Sequence, residues 1–464
     1  MHVYISLCPQ PLPLVDFLSA GVFRVRHSLS LFTLTYLWVT FAFEKHFLLS
    51  IQITTLITMK PCCFSLFHLL ISTLPLIAAA TPILPPRAST TPSPALSFRP
   101  VSPPILINPN AVYPRATTLF NLSSPTPDKP LILASYTTTT TTRSNGQKSL
   151  SASVTSADNA QTWTFLSHIW TANATTHDID NPFPLQLPNG HVLYSFRNHD
   201  IDPRTGRYTY YRITVCLSTD FGSSWEFLSH AAERRAAAGE DDDNNGLWEP
   251  FMRVDNRGRV QVYYSSERGR TRQDNIVRVS GDGGRTWGGE VVVSRGEESR
   301  DGMMGVAEVV VPGGGEGRLI CIFETTEDGG RFAVDTVESV DDGRSWGEGT
   351  RRRVYTARSG KDAGAPQVVS VGGVLVGSFM TNEGGSEGGG EGVDGGEMKI
   401  VLSRDGGKSW ERAGDGKGEG EMAAVAAAKG SHWPGLFKLD DRRFLGLYSA
   451  DGVGAVSRVF EISG

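Results

Sequence analysis

Residues 218–225 read Ser-Thr-Asp-Phe-Gly-Ser-Ser-Trp, and the pattern S-x-D-x-G-x-[ST]-W recurs along the chain. The five copies, the first with Ala160 in place of the glycine, are Ser156–Trp163, Ser218–Trp225, Ser280–Trp287, Ser339–Trp346 and Ser403–Trp410. Their tryptophans are separated by 62, 62, 59 and 64 positions. One pattern at a nearly constant period indicates a repeat architecture. We call each copy a repeat turn.

Each repeat turn predicts a tight hairpin connection. The aspartate accepts backbone N–H bonds within the turn, and the glycine supplies a positive φ. The tryptophan is expected to bury its ring beside the next unit. The five aspartates are therefore interpreted as structural rather than catalytic.

Two further strand signals precede each repeat turn, with the alternation typical of β-strands. First strands are predicted near Pro114, Asn181, Trp248, Met304, Ala365 and Trp433, and second strands over 131–136, 191–197, 259–265, 318–324, 373–380 and 443–449. The last unit, 433–462, has room for three strands, so a strand near Ile105–Asn108 is expected to complete it. The sequence predicts an all-β fold, a six-bladed β-propeller of four-stranded antiparallel blades closed by an N-terminal strand. The threonine run Thr137–Thr142 is expected to be an exposed loop.

The N-terminal part of the chain has a different character. Residues 59–80 resemble a secretory signal peptide, with Lys60, an apolar run and small residues up to Ala80. A membrane anchor is the alternative, since 61–86 carries no charge, although four prolines interrupt that stretch. Residues 1–58 are interpreted as a doubtful extension before the true start, 81–104 as a Pro/Ser/Thr-rich linker, and 105–464 as the catalytic propeller domain.

Composition excludes several classes of protein. The 464 residues carry 44 basic and 49 acidic side chains, a net charge of −5, without a basic stripe that would predict nucleic-acid binding. The five cysteines follow no metal-ligand spacing, so neither a metal nor a cofactor is expected. After signal removal only Cys216 and Cys321 remain, and a buried free pair is favoured over a disulfide. Sequons at Asn121 and Asn173 fit secretion. We expect a secreted, extracellular monomer that does not bind membranes.

The topology of a propeller blade predicts where a binding site lies. The turn between strands 1 and 2 shares a face with the repeat turn, so strand 1 begins, and strand 2 ends, at the opposite face. We call this opposite face the mouth. Residues expected there are Tyr113, Arg115, Asp180, Asn181, Arg197, Asn198, His199, Trp248, Glu249, Glu267, Glu308, Glu324, Asp362, Gln367, Asn382, Glu383, His432, Trp433 and Asp451.

Paired carboxylates and aromatic rings at the mouth point to glycoside cleavage, in which one carboxyl protonates the leaving oxygen and the other attacks the anomeric carbon. Glu249 and Glu324 lie on adjacent blades and are the candidate catalytic pair, because apolar neighbours flank both. Glu308 is nearly as good a candidate. Each of these glutamates could equally pair with an arginine or cap a loop. Glu267 and Glu383 are expected to be solvated.

The candidate substrate-binding residues are Arg115, Asn181, Arg197, His199, Trp248, Glu308, Asp362 and Trp433. Arg115 and Arg197 could bind an anionic substrate, but neutralisation of neighbouring glutamates is favoured. His199 and His432 are expected to be hydrogen-bonding rim residues rather than proton shuttles. Trp248 and Trp433 could be sugar platforms or packing between blades.

The repeat turns resemble the Asp boxes of sialidase-superfamily propellers. A sialidase is disfavoured, because Tyr113-Pro114-Arg115 lacks the following Ile-Pro and no trio of arginines stands at the blade ends. The chain instead resembles fungal exo-α-1,5-L-arabinanases of glycoside hydrolase family 93 in five segments. They are Asn181-Pro-Phe-Pro-Leu, Gly246-Leu-Trp-Glu-Pro-Phe, Met303-Met-Gly-Val-Ala-Glu, Ile322-Phe-Glu-Thr-Thr and His432-Trp-Pro-Gly-Leu-Phe.

The resemblance implies a retaining enzyme that releases arabinobiose from the non-reducing end of linear arabinan. It implies Glu249 as the acid/base and Glu324 as the nucleophile, with the plant cell-wall polysaccharide as partner. The alternatives are a sialidase or another exo-glycosidase on the same fold, and a non-catalytic carbohydrate-binding propeller.

Overall fold

The structure of the protein, a computed structural model, describes residues 3–7, 10–11, 37–43, 47–53, 95–120, 130–142, 146–237, 245–310, 317–326, 330–358, 360–383, 396–412 and 430–464. The chain divides into two units, Met1–Ser89 and Thr90–Gly464. In the first unit, one sheet with the order β2-β1-β3-β4 consists of β1 (Val3–Leu7), β2 (Gln10–Pro11), β3 (Leu37–Phe43) and β4 (Phe47–Ile53). The predicted signal peptide 59–80 and the sequon at Asn121 lie outside the described residues.

The second unit is a six-bladed β-propeller, as predicted. It begins with β5 (Ser97–Pro100) and β6 (Ile105–Asn108). Blades 1 to 3 contain β7 (Ala111–Leu119), β8 (Leu131–Thr142), β9 (Gly146–Ser156), β10 (Thr164–Asn173); β11 (His177–Gln186), β12 (Val192–Ile201), β13 (Tyr208–Ser218), β14 (Glu226–Arg235); and β15 (Leu247–Val254), β16 (Val260–Glu267), β17 (Gln273–Ser280), β18 (Val291–Ser294).

Blades 4 to 6 contain β19 (Gly302–Glu308), β20 (Leu319–Thr325), β21 (Ala333–Ser339), β22 (Gly347–Tyr355); β23 (Ala363–Val371), β24 (Val374–Thr381), β25 (Glu397–Ser403), β26 (Glu411–Arg412); and β27 (Ser431–Lys438), β28 (Arg443–Ala450), β29 (Gly454–Ser463). All strand pairs within the blades are antiparallel. The first strands of neighbouring blades contact one another in a closed cycle, from β7 through β11, β15, β19 and β23 to β27 and back to β7.

N-terminal strands complete the last blade. β6 pairs with β29 through Val456↔Leu106 and Ser457↔Ile105, which confirms the expected closure by Ile105–Asn108. β5 also pairs with β29, through Phe460↔Pro100 and Ile462↔Phe98. The segment predicted as linker over 81–104 therefore contains a propeller strand, in which Phe98 packs against the core.

The repeat turns connect the third and fourth strands of blades 1 to 5, as predicted. At Asp282, Oδ1 accepts the backbone N–H of Thr286 at 2.9 Å and Oδ2 accepts the Thr286 hydroxyl at 2.6 Å. These hydrogen bonds hold the pKa of Asp282 below its ordinary value. The fifth position has a positive φ in the left-handed region, 83° at Gly222 and 64° at Ala160.

The tryptophan of a repeat turn packs on the preceding blade, not on the next one as the sequence suggested. The indole N–H of Trp225 donates to Ser167 Oγ at 3.0 Å, and that of Trp287 donates to Ser229 Oγ at 3.0 Å. Both serines lie on the outer strand of the blade before. Each repeat turn therefore ties two blades together.

The core lies between the blades and consists of strand side chains such as Val215, Tyr264 and Ile322, all fully buried. Cys216 and Cys321 are free and buried, as the favoured reading predicted. The threonine run Thr137–Thr142 was predicted wrongly, since it belongs to β8 and Thr137 is buried. β-Branched residues favour strands, and this property outweighed the polarity of the run.

Candidate active site

Each blade carries a β-bulge at the same place in its first strand. In every blade one residue of that bulge has a positive φ, between 43° and 55°. We call these six residues the bulge ring: Tyr113, Asn181, Glu249, Met303, Ala365 and Trp433. A bulge re-aims the side chain it carries, and strained non-glycine residues collect at functional sites.

An aromatic residue of the second strand stands opposite each bulge. The register shift leaves one second-strand residue facing the bulge in every blade: Tyr136, Phe196, Tyr264, Phe323, Phe379 and Tyr448. All six are buried. This packing holds the bulges in the blades, so the ring is a feature of the core rather than of a loop.

Glu249 is the bulge-ring residue of blade 3. Enclosure by protein and, to a smaller extent, the neighbouring Glu324 carboxylate together raise the pKa of its carboxyl to about 8. Hydrogen bonding to Ser265 and the charge of Arg197 lower the pKa of Glu249, but less than burial raises it. A carboxyl with this pKa is protonated at neutral pH and can donate a proton.

Glu324 ends the second strand of blade 4 and is 9% exposed. Its Oε2 accepts the backbone N–H of Ala365, the bulge-ring residue of blade 5, at 2.7 Å. Burial raises the pKa of Glu324 to about 7, while the bond from Ala365 and the charge of Arg300 lower it. The backbone of the next blade therefore fixes this carboxylate from one side.

The two carboxyl groups belong to one site. The Glu324 carboxylate shifts the pKa of Glu249 directly. An added Cβ on Gly302, which lies in register with Glu324, would stand 3.5 Å from Glu324 Oε1 and 3.5 Å from Ser265 Oγ. Ser265 also hydrogen-bonds Glu249, so Gly302 and Ser265 lie beside both acidic groups. Both glutamates face the mouth, as the sequence predicted.

Arg197 supplies positive charge beside Glu249. Its guanidinium pairs with Asp178 at 3.0 Å and with Asp180 at 3.5 Å, and it lies 5.1 Å from the Trp248 ring centre. The arginine thus forms ion pairs with two aspartates, and its charge also lowers the pKa of Glu249, a neighbouring glutamate of the kind that the sequence suggested. Trp248 packs against Arg197 and an aromatic cluster of blade 2.

Arg115 is buried below the bulge ring. Its Nη1 donates to the carbonyl oxygens of Pro114 at 2.9 Å and Trp433 at 3.0 Å, and the guanidinium stacks on Tyr113. Burial lowers the pKa of Arg115, and the Tyr113 phenol opposes that shift. An added Cβ on Gly435 would lie 3.1 Å from Arg115 Nη1, so the glycine makes room for the guanidinium between blades 1 and 6.

Three other predicted residues lie at the mouth in supporting positions. Asn181 and Trp433 are members of the bulge ring. Asp362 is buried, and its carboxylate accepts the Phe332 N–H at 2.9 Å and pairs with Arg331 at 3.1 Å. Its negative charge raises the pKa of Glu324, so Asp362 acts on the site through that neighbour.

Two predicted site residues are placed elsewhere by the structure. Glu308 ends β19 at the face of the repeat turns, where it is exposed and pairs with Arg253 at 3.2 Å. That arginine also binds Asp342 of a repeat turn, so Glu308 belongs to the wrong face for catalysis. His199 is fully buried, not at the rim: Nε2 donates to the Leu247 carbonyl at 2.8 Å, and burial lowers its pKa to about 3.

Glu267 is buried and Glu383 is half-buried, and both are bound to other residues, although solvated side chains were predicted. Glu267 accepts the Gly246 N–H at 2.8 Å and pairs with Arg300 at 2.7 Å. Glu383 accepts the Tyr355 hydroxyl at 2.6 Å. Both glutamates close loops at the mouth. The polar sequence that flanks them suggested solvation, because it does not show the partners that other parts of the chain supply.

Sequence reasoning missed Ser265, Met303 and Ala365. Ser265 accepts the Met303 N–H at 3.2 Å, in the same relation that Glu324 has to Ala365. A signal for the bulge ring exists, because in five of six blades its residue precedes a proline: Tyr113-Pro114, Asn181-Pro182, Glu249-Pro250, Ala365-Pro366 and Trp433-Pro434.

Within the described residues, no group of three or more His, Cys, Asp or Glu side chains is arranged to hold a metal ion. No helix long enough and apolar enough to cross a membrane occurs among those residues.

Comparison with known proteins relates the architecture to solved propellers. The fold is similar to that of the Penicillium chrysogenum alpha-L-arabinanase complexed with arabinobiose, at 20% identity and a TM-score of 0.52, covering 79% of this chain and 98% of that one. The fold is also similar to that of the GH93 alpha-L-arabinofuranosidase of Fusarium graminearum with arabinobiose. The identity is 18% and the TM-score 0.53, and the match covers 77% of this chain and 96% of that one. A Dyadobacter fermentans protein of unknown function matches at 16% identity and a TM-score of 0.54, covering 79% of this chain and 100% of that one.

No protein-family model matches the chain. A search of curated proteins finds no match either. At these identities, the likeness to solved structures shows the fold: the second unit of this chain is a six-bladed β-propeller with an architecture similar to that of the two enzymes.

Proposed function

We propose that this protein is a retaining exo-glycosidase that releases arabinobiose from the non-reducing end of linear α-1,5-L-arabinan. The observation that carries the proposal is the electrostatic coupling of Glu249 and Glu324 across Gly302 at the mouth. Two carboxyl groups at one site are the machinery of double displacement. Two similar solved propellers, from Penicillium chrysogenum and Fusarium graminearum, are complexed with arabinobiose, which supports the choice of sugar.

The pKa difference supports a division of roles. Glu249, with the higher pKa, protonates the leaving oxygen of the glycosidic bond while the Glu324 carboxylate attacks the anomeric carbon. A glycosyl ester on Glu324 forms, and the proton leaves with the alcohol. Glu249, now ionised, takes a proton from water, the water oxygen attacks the anomeric carbon, and Glu324 leaves as carboxylate.

A neutral sugar fits the charges at the mouth better than sialic acid does. A sialidase needs several arginines that are free to bind the substrate carboxylate. Here Arg197 pairs with Asp178 and Asp180, and Arg300 pairs with Glu267. These ion pairs offset the charges of the two arginines that lower the pKa values of Glu249 and Glu324.

Product analysis on linear debranched arabinan tests the proposal. Arabinobiose is expected as the main early product of the wild-type protein. Glu249→Gln and Glu324→Gln are each expected to lower kcat by at least about 100-fold, because each loses an ionisable group of the reaction. Glu308→Gln is the matched control, since Glu308 lies at the opposite face, and its turnover should equal that of wild type.

Three results would contradict the proposal. One is cleavage of a sialyl reporter without cleavage of arabinan. Another is near-wild-type turnover by a folded Glu249→Gln or Glu324→Gln variant, which would remove that residue from the mechanism. The third is equal loss of turnover in Glu308→Gln, which would mean that the losses reflect folding rather than chemistry.

A further inference from the structure

A second recess opens at the mouth between blades 6 and 1. It has a volume of about 490 Å³ and is lined by the starts of β7 and β27 and by the turn from β28 to β29. Trp433 belongs both to this recess and to the bulge ring. The recess, which we call the side cleft, therefore lies at the same face of the propeller as Glu249 and Glu324.

The side cleft presents the groups that recognise a sugar. Trp433 offers a half-buried ring, and aromatic faces stack on the C–H faces of sugars. Asp451 offers a carboxylate that is 64% exposed, and its Oδ1 is held by His432 Nε2 at 2.9 Å. An oriented, exposed carboxylate accepts hydrogen bonds from hydroxyl groups.

The described lining of the side cleft favours an uncharged ligand. Among the described residues, the lining includes no lysine or arginine, and the turn from β28 to β29 contributes small or apolar residues, Ala450, Gly452, Val453 and Gly454. A Cβ at Gly452 would meet nothing within 4 Å, so this part of the wall is open. One exposed carboxylate beside small and apolar residues suits neutral, hydroxyl-rich molecules better than anions.

We propose that the side cleft binds further sugar units of the neutral glycan whose scissile bond lies at Glu249 and Glu324. This proposal rests on the proposed function. Trp433 stacks on one sugar ring of the chain, and Asp451 accepts a hydrogen bond from its hydroxyl. The site thereby gains affinity for a chain of several units over a single sugar.

Chain-length dependence tests the side cleft. The substrates are 4-nitrophenyl α-L-arabinofuranoside and the linear arabino-oligosaccharides from arabinobiose to arabinohexaose, and the readout is kcat/KM for each. Asp451→Ala is expected to reduce the advantage of arabinohexaose over the aryl monosaccharide about tenfold. Asp451→Asn, which keeps an acceptor and the shape, should reduce it less. Asp441→Ala is the matched control, because Asp441 is exposed at the opposite end of blade 6.

The outcomes separate the side cleft from the proposed function. If arabinohexaose is cleaved and its advantage survives in a folded Asp451→Ala variant, the side-cleft proposal is wrong while the proposed function stands. If nothing is cleaved, binding is measured instead. Arabinohexaose, xylohexaose and cellohexaose are titrated into the Glu324→Gln variant and into the double variant that also carries Asp451→Ala. Binding that Asp451→Ala weakens supports the side cleft and overturns the arabinanase proposal; binding that it leaves unchanged, or no binding, overturns both.

Discussion

At the scale of single residues, Glu249 and Glu324 are held in different ways. Glu249 sits on a bulge with φ of 43°, so backbone strain in its own strand aims the side chain. Glu324 sits in a regular strand, and the N–H of Ala365 in the next blade anchors one of its oxygens at 2.7 Å. An anchored carboxylate suits a nucleophile, which must keep its geometry, whereas a proton donor must release its proton.

The pH dependence of activity follows from these two carboxyls. Attack requires Glu324 ionised, so activity rises with pH through the pKa of about 7. Proton donation requires Glu249 protonated, so activity falls as pH rises through about 8. We expect a bell-shaped profile of kcat/KM on arabinan with a narrow optimum between these limbs. A flat profile between pH 5 and 9 would contradict the assignment.

The same two groups should destabilise the fold at high pH. Their folded-state pKa values, about 8 and about 7, lie above the ordinary 4.5. The folded protein therefore holds protons that the unfolded chain releases, and stability is lost as pH rises from 4.5 through 8. A glutamine at either position is neutral at every pH, so it does not lose stability in this way.

Thermal unfolding checks this expectation. Glu249→Gln and Glu324→Gln should raise Tm at pH 9 by about 2 °C or more, and should leave it nearly unchanged at pH 4.5. Glu308→Gln serves as the control, since the exposed pair with Arg253 contributes little. Equal Tm values for wild type and both variants at pH 9 would show that the carboxyls are not enclosed.

At the scale of elements, the repeat turns explain most of what could be predicted. The period of the pattern locates the third and fourth strands, and alternation locates the first and second. The bulges could not be located in this way, because a bulge shifts the register by one residue and reverses which face of the blade the following side chains occupy. Glu308 was misassigned because the sequence did not locate the end of its strand: β19 ends at Glu308 itself, at the face of the repeat turns.

Exchange between glycine and alanine should have unequal effects at the fifth position of two repeat turns. Gly343 has φ of 78°, and an added Cβ would lie 2.7 Å from the hydroxyl of the fully buried Tyr263. Gly343→Ala is therefore expected to lower the free energy of unfolding by about 2 kcal/mol, from backbone strain and the displaced neighbour. Ala160 already has φ of 64° in a turn that accommodates its methyl group.

Denaturant unfolding of both variants measures the difference. Ala160→Gly should change the free energy of unfolding by less than about 1 kcal/mol, since relief of strain offsets the lost methyl packing and the added chain entropy. A loss at Ala160→Gly as large as that at Gly343→Ala would contradict the account of the turn.

At the scale of the whole molecule, ring closure brings the site together. β29 binds strands from the other end of the propeller, so the last blade is complete only when β5 and β6 have paired. Closure sets blade 3 against blade 4 and blade 6 against blade 1. The sequence could predict the closing strand because five repeat turns leave one blade short. It could not predict the electrostatic coupling of Glu249 with Glu324, which depends on side chains from two blades.

The stereochemistry of the first product tests the central claim most directly. Proton NMR of linear arabinan during its cleavage reports the anomeric configuration of the newly released reducing end before it mutarotates. Two displacements by Glu324 and water predict that arabinobiose appears first in the α configuration of the substrate bond. Release of the β anomer first would mean a single displacement by water, and Glu324 would not be a nucleophile.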